Sequence, residues 1–292
     1  MPFYVVLFLF STFKLVIGGL EYDWDVIGRF LLPEEQMPIK IIADDDCHFG
    51  WIVSDGELVA SSPTERIYIA PSLPGLYTMM ISDGRTKKRI NLFVMHPFSS
   101  LKNRRIQGYL IGRYPKSSPH PNLQAVKGFI EVKREWEETP VSPNYKIKEF
   151  LGRTEGDIGP KYLALREELV YKLELLNEKI QKKGYRCSKL KIVSGFRTPA
   201  RNYNAGGGRN SAHIYGGAAD CLIDEDGDKN IDDLNRDGRR NSQDSKILMA
   251  IADELDKELE VSYPQLVGGL GWYRRRDFIH IDVRGEKARW RR

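Results

Sequence analysis

The sequence predicts an α+β protein in two parts: an N-terminal small β-sandwich domain, then a domain with an antiparallel sheet and helices. Three observations predict it. Six short runs rich in β-branched and aromatic residues fall between Leu20 and Pro97, punctuated by turn residues. The second half instead carries two stretches with apolar residues near a 3.6-residue period. The length of 292 residues is natural for two domains and long for one core.

The six runs are Pro38–Ala43, Gly50–Val53, Glu57–Ala60, Arg66–Ala70, Gly75–Ile81 and Arg89–Val94, with Ser54-Asp55-Gly56, Pro71–Gly75 and Ser82-Asp83-Gly84 between them. Asp83-Gly84 suits a two-residue hairpin turn. The acidic run Asp44-Asp45-Asp46 reads as a solvated turn, and nothing in 20–97 looks catalytic. Before it, Pro2–Phe13 is nearly all apolar and Gly18-Gly19 are small. Residues 1–19 therefore read as a secretory signal peptide cleaved near Gly18 or Gly19, or as an uncleaved membrane anchor, and either places the rest of the chain outside the cytoplasm. Residues 98–140 form a connector whose Ser117–Asn122 cluster marks a loop.

The last part, 141–292, holds the helical patterns. Tyr162–Lys183 places Leu165, Leu169, Leu173, Leu176 and Ile180 on one face, and Gly184 ends it. Lys189–Ser194 reads as a strand that delivers Gly195-Phe196-Arg197 at its end. Asp244–Glu258 is a second helix, and Phe278–Val283 a final strand. The Gly-rich stretch Asn202–Arg209 lacks the spacing and lysine of a phosphate-binding loop, so nucleotide binding is rejected. The formal charge of +5 is mild and interspersed, with no nucleic-acid signature. Cys47, Cys187 and Cys221 give no even framework; they read as buried thiols, with Cys187–Cys221 pairing the alternative in an oxidising compartment.

Chemistry concentrates in two stretches, Ser211-Ala-His213-Ile-Tyr-Gly-Gly-Ala-Ala-Asp220 and Asp277-Phe-Ile-His280-Ile-Asp282. His213, Asp220 and His280 are the ligand types that Zn²⁺ takes, and three of them leave a fourth tetrahedral position for water. Ser-x-His-x-x-Gly-x-Ala-x-Asp resembles the signature of the zinc D-Ala-D-Ala carboxypeptidases, whose fold is shared with murein endopeptidases and the hedgehog signalling domain. Ser194-Gly195-Phe196-Arg197 matches that family's Ser-Gly-Tyr-Arg segment, and Asp277-Phe-Ile-His280 its acidic-x-x-His motif. Val141–Phe150 resembles the start of the domain in cell-wall members, and Gly108–Pro115 resembles their lead-in.

The resemblance implies a hedgehog- and D,D-peptidase-like zinc domain that cuts D-amino-acid-containing peptides of peptidoglycan, as a carboxypeptidase or an endopeptidase. It implies zinc on His213, Asp220 and His280, Asp277 as general base, and Arg197 as the substrate-binding arginine. Ser211 supports the motif by hydrogen bonding rather than as a nucleophile. A second register stays open, because relatives with a His-x-His pair use its first His as acid/base; here His280 would take that role and Asp282 would be the ligand. The alternative function is a non-catalytic zinc-bearing domain that binds wall peptides or an envelope protein.

Between the second and third zinc ligands lies an acidic insertion, 224–244. From Asp233 its spacing is that of a calcium loop: Asp233, Asn235 and Asp237 at positions 1, 3 and 5, Gly238 at 6, the backbone of Arg239 at 7 and Asp244 at 12. Asp224, Asp226 and Asp228 are candidates for a second ion, with Lys229 standing where Gly belongs.

Overall fold

A computed structural model describes residues 13–43, 48–152 and 159–292. Residues 1–12, the Asp44–Asp46 run and Cys47 lie outside the described residues. The chain divides into two compact units, Met1–Val94 and Met95–Arg292, and the architecture is α+β.

Among the described residues the first unit has nine strands: β1 Phe13–Ile17, β2 Leu20–Tyr22, β3 Val26–Leu31, β4 Gln36–Ala43, β5 Gly50–Val53, β6 Glu57–Ala60, β7 Glu65–Ile69, β8 Gly75–Ser82 and β9 Lys87–Val94. They form two sheets, ordered β2-β1-β4-β7-β6 and β3-β9-β8-β5. Alternation drives the arrangement. In β4, Met37, Ile39 and Ile41 are buried while Gln36, Pro38 and Lys40 are exposed, the period of a half-buried strand.

All six predicted runs are strands. The segment before them differs from expectation. Phe13, Leu15 and Ile17, assigned from sequence to the leader, are buried in β1, which pairs with β4. Gly18 and Gly19, read as a cleavage site, have φ of 61° and 76° and join β1 to β2. Two consecutive positive φ values are what a tight hairpin turn needs, so the boundary read at residue 19 falls inside a hairpin. Two further departures occur. β3 and β9 pair in parallel rather than antiparallel. The β8–β9 connection runs from 83 to 86, with Asp83 Oδ1 accepting from the amides of Arg85 and Thr86 at 2.8 and 2.7 Å.

The second unit starts with short pieces: β10 His96–Pro97, β11 Arg105–Ile106, β12 Tyr109–Leu110, β13 Gly128–Val132 and β14 Lys161–Leu163. Then come α1 Glu167–Lys182, β15 Lys191–Ser194, α2 Pro199–Asn204, β16 Ala218–Leu222, α3 Ser242–Ser262, β17 Gly269–Tyr273, β18 Phe278–Asp282 and β19 Ala288–Arg291. The main sheet has the order β15-β16-β18-β17-β19. Its first four strands are antiparallel and β19 joins β17 in parallel. α1 packs on α3, and α3 on β17 and β18.

α1 starts at Glu167, later than the apolar pattern suggests, because Lys161–Leu163 is taken by strand pairing with β13. Glu167 and Glu168 in its first turn and Lys179 and Lys182 in its last complement the helix dipole. Beneath the sheet, Lys172 of α1 and Asp256 of α3 form a buried ion pair at 2.5 Å. Lys172 Nζ also donates to the backbone oxygen of Asp282 at 3.0 Å, and Arg289 reaches Asp256 Oδ2 at 2.8 Å. This network ties both helices to the end of β18.

The connector belongs to this unit. Tyr114 Oη donates to the backbone oxygen of Ile214 at 2.8 Å, and the His120 ring donates from Nε2 to the backbone oxygen of Asn210 at 3.0 Å. Cys187 and Cys221 are free and buried, as thiols rather than a disulfide. Burial pushes the Cys187 thiol up to about 12, and that of Cys221 well above its ordinary value, so neither is a ready nucleophile.

Candidate metal centre

The register of the main sheet assembles the site. Across it, Ser194 of β15 faces Asp220 of β16, Asp220 faces His280 of β18, His280 faces Gly271 of β17, and Gly271 faces Trp290 of β19. One row of strand positions therefore carries the aspartate and one histidine. The other histidine arrives on a short 3₁₀ turn, Ala212–Tyr215, begun by the Ser211 carbonyl, which accepts from Ile214 N at 3.1 Å. The turn ends at Gly216, φ 69°, where a Cβ would lie 2.3 Å from the Ala164 carbonyl oxygen. Only glycine fits there, and the reversal sends the chain into β16 with His213 folded back over Asp220.

His213, Asp220 and His280 are all buried. His213 Nε2 is 3.2 Å from Asp220 Oδ1, His280 Nδ1 is 3.0 Å from the same oxygen, and the two ring nitrogens are 3.1 Å apart. Each ring is anchored through its other nitrogen. His213 Nδ1 donates to the Gly195 carbonyl at 2.7 Å, and His280 Nε2 donates to Asp282 Oδ2 at 2.9 Å. A ring that donates from one nitrogen presents, when neutral, a lone pair on the other. Two lone pairs and a carboxylate oxygen thus converge on one point. That arrangement is repulsive by itself and fits a soft-to-borderline cation such as zinc.

The electrostatics treat the two rings differently. Burial pushes the His213 pKa down, favouring the neutral ring. Burial acts the same way on His280, but its hydrogen bonds to Asp220 and Asp282 outweigh it and raise its pKa. Burial works to raise the Asp220 carboxyl, and the two imidazoles outweigh that and hold it below the usual range. Asp282 is held low in the same manner by His280 and Arg284.

The geometry also places Asp282 and Arg197 beside the cluster. Asp282 sits on the far nitrogen of His280, fully buried, and also accepts from Gly269 N at 2.6 Å and Arg284 Nη2 at 2.5 Å. It contacts the ring on the side away from the three converging atoms, the position of a residue that orients His280. Arg197 donates from Nη2 to Asp220 Oδ2 at 2.5 Å and from Nε to Ser194 Oγ at 2.9 Å. It steadies the oxygen of Asp220 that the histidines do not face.

Asp277 and Ser211 are not joined to the cluster by any recorded side-chain bond among the described residues. Asp277 adopts φ 52° just before β18 and lines a cavity of about 300 Å³ with Leu222, Lys229, Asn230, Ile231, Arg240 and Arg276. Burial and the nearby Asp244 carboxylate push its pKa up. The motif reading quoted Ser194 and Gly195 without giving them a role, and it missed Trp290, whose ring centroid lies 5.0 Å from that of His280. The first two precede Arg197 in the same motif; Trp290 enters only through the β17–β19 register.

The insertion gives the calcium reading no support. Asp244 is fully buried, and its carboxylate accepts from Leu234 N at 2.8 Å, Asn235 N at 3.2 Å and Asn241 N at 2.9 Å, the last as half of a capping box for α3. Asp233 accepts from the amides of Asp237 and Gly238, Asn235 from Asp237, and Asp237 from Arg239. Asp224, Asp226 and Asp228 do draw together. Lys191 pairs with Asp224, and Arg240 with Asp228 and, at 2.6 Å, with Asp226, so protein cations already neutralise them.

No curated protein matches the chain at a significant level. A model of the Peptidase M15 family matches residues 163–245, which include Arg197, His213 and Asp220 and stop short of His280. The matched stretch is thus similar to Peptidase M15 proteins, and His213 and Asp220 within it join His280 in a group that could hold a metal ion.

Proposed function

We propose that the protein is a zinc-dependent peptidoglycan peptidase, a D,D-carboxypeptidase or endopeptidase that hydrolyses peptide bonds containing D-amino acids. The observation that carries the reading is the convergence of His213 Nε2, Asp220 Oδ1 and His280 Nδ1 within 3.2 Å of one another. When bound, zinc supplies a Lewis acid and lowers the pKa of water at the site. The chain's own residues do the rest. Gly195 and Asp282 fix the ring tautomers, and Arg197 fixes the carboxylate. Arg197 is partly exposed, so its planar fork is available to a substrate carboxylate or a developing oxyanion. Asp277 is the proposed base: its raised pKa lies on the side that favours accepting a proton near neutral pH. A peptidoglycan substrate lies outside the cytoplasm, so the protein is proposed to be exported.

A second reading is a zinc-bearing domain that binds wall peptides, or an envelope protein, without turnover. Among the described residues no side-chain hydrogen bond joins Asp277 to the cluster, which favours it, since a binder needs no base. Incubating purified protein with muropeptides, with and without a chelator, and reading the products by mass tests both. Chelator-sensitive loss of a terminal D-residue or cleavage of a cross-link is expected; intact muropeptides under both conditions would leave the binding reading.

A further inference from the structure

The β17–β18 turn carries Arg274, Arg275 and Arg276, and the end of β19 carries Arg291 and Arg292; all five are exposed. Backbone pairing holds the two segments side by side: Arg274 N donates to Arg292 O at 2.8 Å, and Arg292 N to Trp272 O at 2.8 Å. Among the described residues, none of the five has a recorded carboxylate partner. Four cations elsewhere in this unit do: Lys179 with Glu258, Lys183 with Glu254, Lys287 with Glu260, and Arg289 with Asp253. Five like charges gathered here, with Asp277 the one carboxylate on the turn, raise the local potential, and that field favours an anion.

The guanidinium groups are also held in place. Trp272 is buried, and its Nε1 donates to Ser245 Oγ at 2.9 Å. The guanidinium carbons of Arg274 and Arg291 lie 5.5 and 5.9 Å from its ring, within cation–π range. Arg274, Arg275 and Arg292, with the Ser242 hydroxyl, line a cavity of about 510 Å³. Arg276, on the same turn, faces the second cavity beside Arg240 and Lys229.

The structure assigns this surface as a binding site for phosphate groups carried on a phosphodiester-linked polymer. Planar guanidinium forks match pairs of phosphate oxygens, and a serine hydroxyl adds a neutral donor. The first cavity exceeds what one phosphate fills, and Arg276 continues the basic line beyond it, which suits successive phosphates better than a single ion. Nucleic acid fits less well, because a base needs an open aromatic face. Here Trp272 is covered by two arginines, and Tyr273 is stacked on Phe278 at 4.9 Å. None of His213, Asp220 and His280 lines either cavity, although Asp277 lines the second with Arg276.

The test uses the zinc-loaded full chain and titration calorimetry at low salt. The probes are inorganic phosphate, a poly(glycerol phosphate) chain of about ten units, and a single-stranded oligonucleotide of the same charge. Wild type is compared with Arg274→Gln/Arg275→Gln, and with Lys182→Gln/Arg186→Gln as a control that removes the same charge elsewhere. The polymer is expected to bind wild type and control alike, to weaken at least tenfold in the arginine pair, and to weaken with added salt. Removing zinc is expected to leave this binding unchanged. Binding of inorganic phosphate alone, lost in the arginine pair, would retain the phosphate site with the free ion as its ligand and overturn the polymer. Equal loss in the control, tighter binding of the oligonucleotide, or no binding of any probe would overturn the assignment.

Discussion

His213–Asp220 and Asp224–Asp244 lie three residues apart, and both carry oxygen- or nitrogen-bearing side chains at metal-ligand spacing. The structure treats them in opposite ways. In the first, each side chain turns one polar atom inward and secures the other with a protein partner: Gly195 for His213, Asp282 for His280, Arg197 for Asp220. The inward atoms have only one another. In the second, the inward-facing oxygens already accept from backbone amides or from Lys191 and Arg240. Spacing finds candidates of both kinds. What distinguishes a metal centre from a folded acidic loop is whether the converging atoms are left in want of a cation.

The sharpest way to break this contrast is His213→Ala, which is expected to lose zinc and with it all hydrolysis. Metal analysis of the purified variant checks it, and a full complement of zinc would remove His213 from the ligand set. Zinc binding should also fall with acid. The raised pKa of His280 means that its proton competes with the metal from above the ordinary histidine value of about 6.5. Affinity should therefore rise with pH through that region; a flat profile from pH 5 to 8 would exclude histidine ligation.

Asp277→Asn tests whether the enzyme reading holds at the same centre. If Asp277 is the base, zinc content stays normal and turnover drops by about 10²–10⁴-fold. Hydrolysis at the wild-type rate would place the base elsewhere.

Much of this was legible beforehand for a physical reason. The strands of the first unit alternate cleanly, and Ser211–Asp220 holds two ligands within one turn and strand. What escaped depended on contacts that sequence distance hides. β1 escaped because Leu15, Val16 and Ile17 continue an apolar run, and the pairing of Leu15 and Val16 with β4 is a contact that such a run does not announce. The role of Asp282 needed the ring orientation of His280. Trp290 reaches His280 because Gly271, between them in the register, has no side chain to intervene; a Cβ there would lie 2.4 Å from the indole.

Asp282→Asn probes that orienting shell. The amide can still accept from Gly269 N, yet it no longer balances the charge that the His280 ring shares with the metal. A loss of about 10–100-fold in zinc affinity is expected, read by competition with a chelating dye. Outright loss of zinc, matching His213→Ala, would place Asp282 in the ligand set.

The smallest expected effect lies in the acidic insertion and concerns stability alone. Asp244 satisfies three backbone amides at the start of α3, and in Asp244→Ala those donors lose their acceptor in a buried setting. Unsatisfied buried groups cost about 1–3 kcal/mol, and about 1 kcal/mol of that order belongs to the lost cap. In a unit of this size each kcal/mol lowers Tm by about 2–4 °C. Because the carboxylate's partners are amides, the drop should be the same with excess Ca²⁺ and with a calcium chelator. A drop that appears only when calcium is present would mean that Asp244 serves an ion after all, and the two neighbouring stretches would then be alike.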